Sequence, residues 1–335
     1  AAAAAAPRQS VLRRVLIVGG GLTGALTAHR LKQTAGRHLE VTVYEMARGA
    51  GGRMSTTRFG SPVETRANTG AQYVSVSAGV GGPAGDLVQA AVQAGLLEGP
   101  LTSADVARHS RHFSAEEEEE EGNTQDAKKK KDDFRATRGT SALVKHFLES
   151  GADMVAFETR LESLQLSGKK WVAVAGTGRG GAPAQGGKWT AAKGKGSGAQ
   201  SADADAASGK REFDAVVLAM PPKDASRISG DAKKRLQTFQ KQLQGVGWHS
   251  RFSAALWFAP ADRAAAGEFV AAAAATHQAA AGDRSGGGVL DAVVVQPSEV
   301  GSSVAVVLQS TSDFWGNHSG VHAGGGRGGG KQAGK

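Results

Sequence analysis

An α/β fold is predicted, with a Rossmann-type dinucleotide-binding domain joined to a second, α+β domain built on an antiparallel sheet. Three observations predict it. VLIVGGGLTGALTAHRL (15–31) sets three glycines between an apolar run and a helical pattern. FDAVVLAMPP (213–222) is almost continuously apolar, as a strand covered on both faces of a parallel sheet must be. Late in the chain three β-rich runs follow one another, RFSAALWFAP, GVLDAVVVQP and SSVAVVLQST, which is the pattern of an antiparallel sheet.

VLRRVLIVGG reads as a buried strand and LTGALTAHRLKQ as a helix, with Leu22, Ala25, Leu26 and Leu31 near helical spacing. LEVTVYE (39–45) is a β-branched second strand, so strand, glycine turn, helix and strand compose one βαβ unit. GDLVQAAVQAGLL (85–97) and TSALVKHFLES (140–150) are expected helices, the latter with Ser141 as its cap ahead of an apolar face of Leu143, Val144 and Phe147. Two prolines stop the strand over 213–222. DAKKRLQTFQKQL (231–243) predicts an amphipathic helix with Leu236, Phe239 and Leu243 on its apolar face, and little helix is expected among the three strands that follow.

Three stretches bury too little apolar surface to offset chain entropy: EEEEEEGNTQDAKKKKDD (116–133), the Gly-, Ala- and Lys-rich run over 176–210, and AGGGRGGGKQAGK (323–335). The expected organisation is therefore a leader over 1–10, a cofactor domain over 11–78 and 136–222 with a disordered insertion at 176–210, a second domain over 79–135 and 223–316 with a charged insertion at 116–133, and a Gly-rich tail over 317–335.

The 335 residues contain no cysteine, which excludes disulfides, thiolate metal sites, thiol nucleophiles and flavin attachment through sulfur. The formal charge of +9 is spread over weakly structured segments and forms no basic stripe interleaved with aromatics, so no nucleic-acid partner is expected. No apolar run is long enough to span a membrane. Residues 1–39 hold Arg and Ser but neither Asp nor Glu, the bias of an organelle transit peptide. The expected setting is soluble, cytoplasmic or organellar (plastid or mitochondrion). His109 and His112 flank the acidic run without metal-ligand spacing to a carboxylate, and no metal site is expected.

Gly19, Gly21 and Gly24 form G-x-G-x-x-G after a strand and at a helix start, and Glu45 ends the next strand. The first glycine suits a tight turn, the second close approach of a pyrophosphate, and the third close packing of helix on strand. A carboxylate at Glu45 can accept both ribose hydroxyls of an adenosine and repels a 2′-phosphate. The following ARGAGGRMSTTRF places Gly51, Gly52 and Arg53 within ten residues of Glu45. A second glycine pair with a cation suits a longer dinucleotide, Arg53 neutralising the pyrophosphate while the glycines pass beneath it.

These residues, with NTGAQYVSV (68–76), TRGTSALVKHFLESGADM (137–154), FDAVVLAMPP and GWHSRFSAALWF (247–258), resemble the flavin-dependent amine oxidases of two-domain FAD fold, and among them the renalase-like members. The resemblance implies noncovalent FAD, with Gly19, Gly21, Gly24, Glu45, Gly52 and Arg53 on its ADP and ribityl part and Thr23 and Met54 within the same cofactor-binding set. It places Gly70, Ala71, Gln72 and Tyr73 near the flavin ring and the backbone around Leu161 against adenine. It further implies oxidation of a small reduced substrate such as a dihydronicotinamide nucleotide isomer, with electrons passing to oxygen to give hydrogen peroxide.

His249 and Arg251 are candidates to face that substrate, and no acid/base pair is evident. Asn68 and Thr69 stand where the family pattern has an acidic residue, so a helix-end or loop contact is expected to differ. Nothing after Trp315 matches the family's closing strand, Gly-Asp pair and last helix, which reads as a missing C-terminal segment. Two alternatives stay open: a flavin amine oxidase, and an incomplete, noncatalytic ADP-binding product.

Overall fold

Four consecutive apolar side chains, Val15 to Val18, form the centre of the fold in a computed structural model that describes residues 12–60, 65–77, 82–102, 105–106, 110–112, 131–177, 189–191, 210–282, 289–297 and 303–312. They belong to β1 (Arg13–Val18), which is flanked in parallel by β2 (Leu39–Tyr44) on one side and β14 (Ala215–Leu218) on the other. β9 (Met154–Ala156) extends the sheet beyond β2, and β12 (Trp189–Ala191) closes it in the antiparallel sense.

Strand side chains alternate between faces, so β1 feeds two cores. Val15 and Ile17 join Val41 and Val43 in one core, packed against α1 (Leu22–Ala35), α2 (Pro83–Gln93) and α3 (Thr140–Gly151). Leu16 and Val18 join Tyr44, Leu161, Leu164, Ala173 and Phe213 on the opposite face. That face is covered by a second sheet of β10 (Thr159–Ser167), β11 (Lys170–Thr177), β13 (Lys210–Phe213) and β15 (Ser229–Gly230). Burial on both faces is why β1 carries no polar residue after Arg14. Each such side chain contributes about 1.5–3 kcal/mol.

The chain divides into two compact units, residues 1–57, 68–102 and 129–247, and residues 58–67, 103–128 and 248–335. These bounds differ from the expected division. α2, β6 (Leu97–Glu98) and β8 (Lys131–Ala136) join the first unit because Ala91, Leu96, Leu97, Phe134 and Ala136 complete the core around Ile17. β8 also pairs with β5 (Val74–Ser77), so residues 131–133 of the expected charged insertion are strand. The strand pair β3 (Thr56–Phe59) and β4 (Thr65–Asn68) carries the chain out of the first unit and back.

The second unit holds an antiparallel sheet ordered β16 (Ser253–Phe258), β18 (Val304–Ser310), β17 (Leu290–Pro297), β7 (Ser110–His112). One face packs Val293, Val304 and Val306 against α7 (Arg263–Gly282), and the other gathers Ala67, Val294, Ala305 and Val307 with Trp257. The predicted α/β fold with a second α+β domain is thus the observed architecture.

Four details correct the sequence expectations. α7 lies between the first and second of the three late strands, where little helix was expected. Its alanines have the highest helix propensity but no apolar periodicity to announce it. The helix over 231–243 is broken after α4 (Pro222–Ala225) into α5 (Asp231–Gln237) and α6 (Gln240–Gln244), and Phe239 is 57% exposed rather than buried. Within the expected insertion at 176–210, Trp189–Ala191 forms β12. Ser141 is not the cap of α3: Gly139 occupies the cap position, and Ser141 lies buried inside the first turn with no hydrogen-bond partner for its hydroxyl among the described residues. The leader at 1–10, the tail at 317–335 and most of 116–133 and 176–210 lie outside the described residues.

α1 and α3 cross so closely that a Cβ on Gly151 would lie 2.2 Å from the His29 amide nitrogen. At this crossing Arg30 donates to Gln33 Oε1 (2.9 Å), which directs the Gln33 amide nitrogen to donate to His29 Nε2 (2.9 Å). His29 is therefore neutral there and donates through Nδ1 to Ser150 Oγ (2.7 Å). Burial, then the charges at His146 and Arg30, hold its pKa below the ordinary value of 6.5. The unfolded chain thus binds this proton first, and stability is lost as pH falls through the unfolded value toward the depressed folded one. His29→Gln is expected to flatten the decline in urea-unfolding stability between pH about 7 and 5; an unchanged slope would show that His29 carries none of it.

Candidate dinucleotide site

Four chain segments converge where β1 ends. Gly19 accepts a backbone conformation with φ +116°, and a Cβ there would lie 2.4 Å from the Ala219 carbonyl oxygen at the end of β14. Its amide donates to the Tyr44 carbonyl (2.8 Å), tying the turn to the end of β2. A Cβ on Gly24 would lie 2.0 Å from the Gly19 carbonyl oxygen, so only glycine lets α1 begin this close to the turn. Gly21 differs from both. Its backbone is ordinary, and the nearest atom to a Cβ there would be the Gly51 carbonyl oxygen at 3.9 Å.

Gly21 immediately precedes α1, a 14-residue helix with no side-chain cap and no acidic residue in its first turn. First-turn amides without caps, at the positive end of the helix dipole, form a seat for a pyrophosphate. Thr23 is exposed on that turn. The room left by the missing Cβ of Gly21 is what such a ligand needs, and the residues present fit one.

Glu45 follows β2 directly. Its Oε2 accepts the Gly20 amide (2.7 Å) and its Oε1 the Ala47 amide (2.7 Å). A carboxylate has about four acceptor directions, so two are left for vicinal ribose hydroxyls. The Thr159 amide donates to the Glu45 carbonyl (2.9 Å), and this brings the start of β10 beside the carboxylate. Leu161, two residues further on, turns its side chain into the core with Leu16 and Phe213 and stands at a shift in the β10 register.

The second glycine segment is joined to the first: the Gly51 amide donates to the Gly20 carbonyl (3.1 Å), and Gly21 and Gly51 form a parallel bridge. Gly52 begins a short turn with Arg53 and Met54. Arg53 is exposed, whereas Met54 is 7% exposed and turns its side chain into the core. Loop 70–73 lies on this turn. The Ala71 amide donates to the Arg53 carbonyl (2.9 Å), and a Cβ on Gly70 would lie 2.0 Å from that oxygen. Tyr73 is half-buried at the end of the loop.

Asn68 supplies the contact expected to differ. Its Oδ1 accepts the Thr140 amide at the start of α3 (2.9 Å) and the Thr56 hydroxyl (2.9 Å), and Thr56 Oγ1 accepts the Ser141 amide (3.0 Å). The first amides of α3 are thus capped from β3 and β4 by neutral oxygens. Thr56 and Thr140 carried no sequence signal, because isolated threonines in polar segments look alike before folding.

All the cofactor candidates from Gly19 to Leu161 lie in the first unit, and those from Gly19 to Tyr73 are knit together by the bonds above. His249 and Arg251 belong to the second unit. His249 is exposed ahead of β16, while Arg251 pairs through its guanidinium with Asp291, which is 4% exposed beside a register shift in β17. Among the described residues no helix is long and apolar enough to cross a membrane, and no three His, Asp or Glu side chains converge as metal ligands.

The family of NAD(P)-binding Rossmann-like domains matches residues 17–90, the turn, α1, β2 and the two glycine segments. The fold of the first unit is thus similar to the Rossmann-like dinucleotide-binding domains. More particularly the chain is similar to renalase of Mus musculus, to which it is 25% identical over 248 residues, 74% of this chain and 58% of that protein. The chain thus spans less than two thirds of the length of this relative. Among solved structures, a triple mutant of putrescine oxidase redesigned in cofactor binding is 15% identical, covering 89% of this chain and 75% of its own, with a TM-score of 0.49. Wild-type putrescine oxidase bound to putrescine is 14% identical over 93% and 78%, with the same TM-score.

The glycines divide by what surrounds them. Gly24→Ala must displace backbone and is expected to cost about 1–3 kcal/mol in urea unfolding. Gly21→Ala is expected to stay within about 0.5 kcal/mol of wild type while weakening ADP binding about tenfold in calorimetric titration. Equal effects of the two on stability would show that the space at Gly21 is not open.

Proposed function

We propose that the chain is an FAD-dependent oxidoreductase of renalase-like type, acting on a small reduced substrate of the dihydronicotinamide nucleotide kind. The observation that carries the reading is the union of three backbone segments, 19–24, 51–54 and 70–73, with Glu45 at one end. A nicotinamide dinucleotide needs the first segment and the carboxylate, whereas the other two extend the seat toward a longer, ribityl-bearing cofactor. The renalase likeness supports the same choice.

In this reading the α1 amides and the backbone at Gly21 hold the pyrophosphate. Glu45 holds the adenosine ribose, the backbone near Leu161 meets adenine, and Arg53 balances the phosphate charge. Loop 70–73 borders the ring. When bound, FAD supplies the hydride acceptor and returns two electrons to oxygen, giving hydrogen peroxide. The protein's task is then to orient substrate and exclude water, and neither requires a general base. His249 and Arg251 are the substrate-facing candidates, and Arg251 is held by its pair with Asp291.

Purified chain supplied with FAD is expected to be yellow, to bleach anaerobically with dihydronicotinamide nucleotide isomers, and to release peroxide when air is admitted. Bleaching by amines alone would replace the substrate class with an amine, and a chain that takes up no FAD would overturn the flavin reading. Arg53→Met is expected to raise the FAD dissociation constant about tenfold by fluorescence titration, the loss of one charge-assisted contact.

A further inference from the structure

Gln72 was expected beside the flavin ring on family resemblance, yet its amide nitrogen is turned back on its own loop. It donates to the Asn68 carbonyl (2.7 Å) and to the Gly70 carbonyl (3.0 Å). The stretch it spans is bonded to the Arg53 turn at two points, Thr69 amide to Ser55 carbonyl (3.2 Å) and Ala71 amide to Arg53 carbonyl (2.9 Å). Asn68 in turn is held from its side chain by α3 and Thr56, and the Thr140 hydroxyl reaches the Met54 carbonyl (3.2 Å). Gln72 is therefore the brace between the loop seated on the Arg53 turn and a residue anchored in the helix layer.

We infer that Gln72 is a positioning residue, a latch that with Asn68 holds loop 70–73 flush on the Arg53 turn before any cofactor arrives. The role assigned to the loop in cofactor binding rests on the FAD reading; the latch itself does not. One side chain ties two carbonyls of the same segment together, so the loop keeps one shape and its ordering is not deferred to the binding step. The substitution that tests this is Gln72→Met, of similar length and without N–H donors. It leaves the α3 cap intact, because that cap uses the Asn68 side chain while Gln72 uses the Asn68 main chain.

Hydrogen exchange on the chain without cofactor reads the latch directly. Gln72→Met is expected to speed exchange at the Thr69 and Ala71 amides about tenfold while the β1 amides keep their protection. Unchanged exchange at both amides overturns the latch whatever FAD does. FAD titration followed by flavin fluorescence then reads its use. The dissociation constant is expected to rise about tenfold while the melting temperature of the unliganded variant stays within about 2 °C of wild type. A fall in melting temperature with unchanged FAD affinity would make Gln72 a structural residue only and overturn the positioning role. If the wild-type chain takes up no FAD, the functional reading fails, and the exchange experiment still decides whether the latch exists.

Discussion

The first unit depends on one close approach, the start of α1 against the Gly19 carbonyl. With no Cβ on Gly24 the helix begins almost in contact with the turn, and with none on Gly19 the end of β14 closes over the same peptide. The ends of β1, β2 and β14 and the start of α1 are thereby drawn to one point. Steric exclusion there is harder than any hydrogen bond, because displaced backbone at a packed junction has nowhere to relax. Everything that makes a seat for a dinucleotide, the uncapped helix start, the open side of Gly21 and the carboxylate of Glu45, inherits its position from that contact.

A second level of order is polar. Glu45, read from the sequence as an acceptor for ribose hydroxyls, also binds the Gly20 and Ala47 amides and so shapes the turn. Asn68 caps α3 with an uncharged oxygen, which keeps the helix start satisfied without placing a carboxylate beside it. Buried polar groups that are fully paired fix one arrangement of loops, and a half-paired set would leave several. These loops are consequently held by the fold through main-chain bonds and through the side chains of Glu45, Asn68 and Gln72.

Legibility in the sequence followed physical locality. β1 and β14 announced themselves as continuous apolar runs, β2 by its β-branched residues and α1 and α3 by helical spacing, and the glycine spacing with Glu45 announced the seat, because these signals are carried by neighbouring residues. α7 was silent because polyalanine has propensity without a pattern. The split of 231–243 into two short helices was hidden because Leu236, Phe239 and Leu243 have helical spacing whether or not anything covers them. β12 was masked by a surrounding composition that looked too polar to order, although Trp189 and its neighbours needed only the free edge of β9.

By itself the sequence determined which residues could approach backbone closely, which strands had to be covered on both sides, and that a carboxylate would follow β2. Those properties reside in side-chain size, polarity and short-range spacing. Tertiary structure alone decided that Gly21 is open while Gly24 is filled, that Asn68 serves α3, that Arg251 is taken by Asp291, and that Gln72 turns inward. Each of these depends on which distant segment arrives beside the residue, and a spacing along the chain carries no information about that partner until the layers have packed.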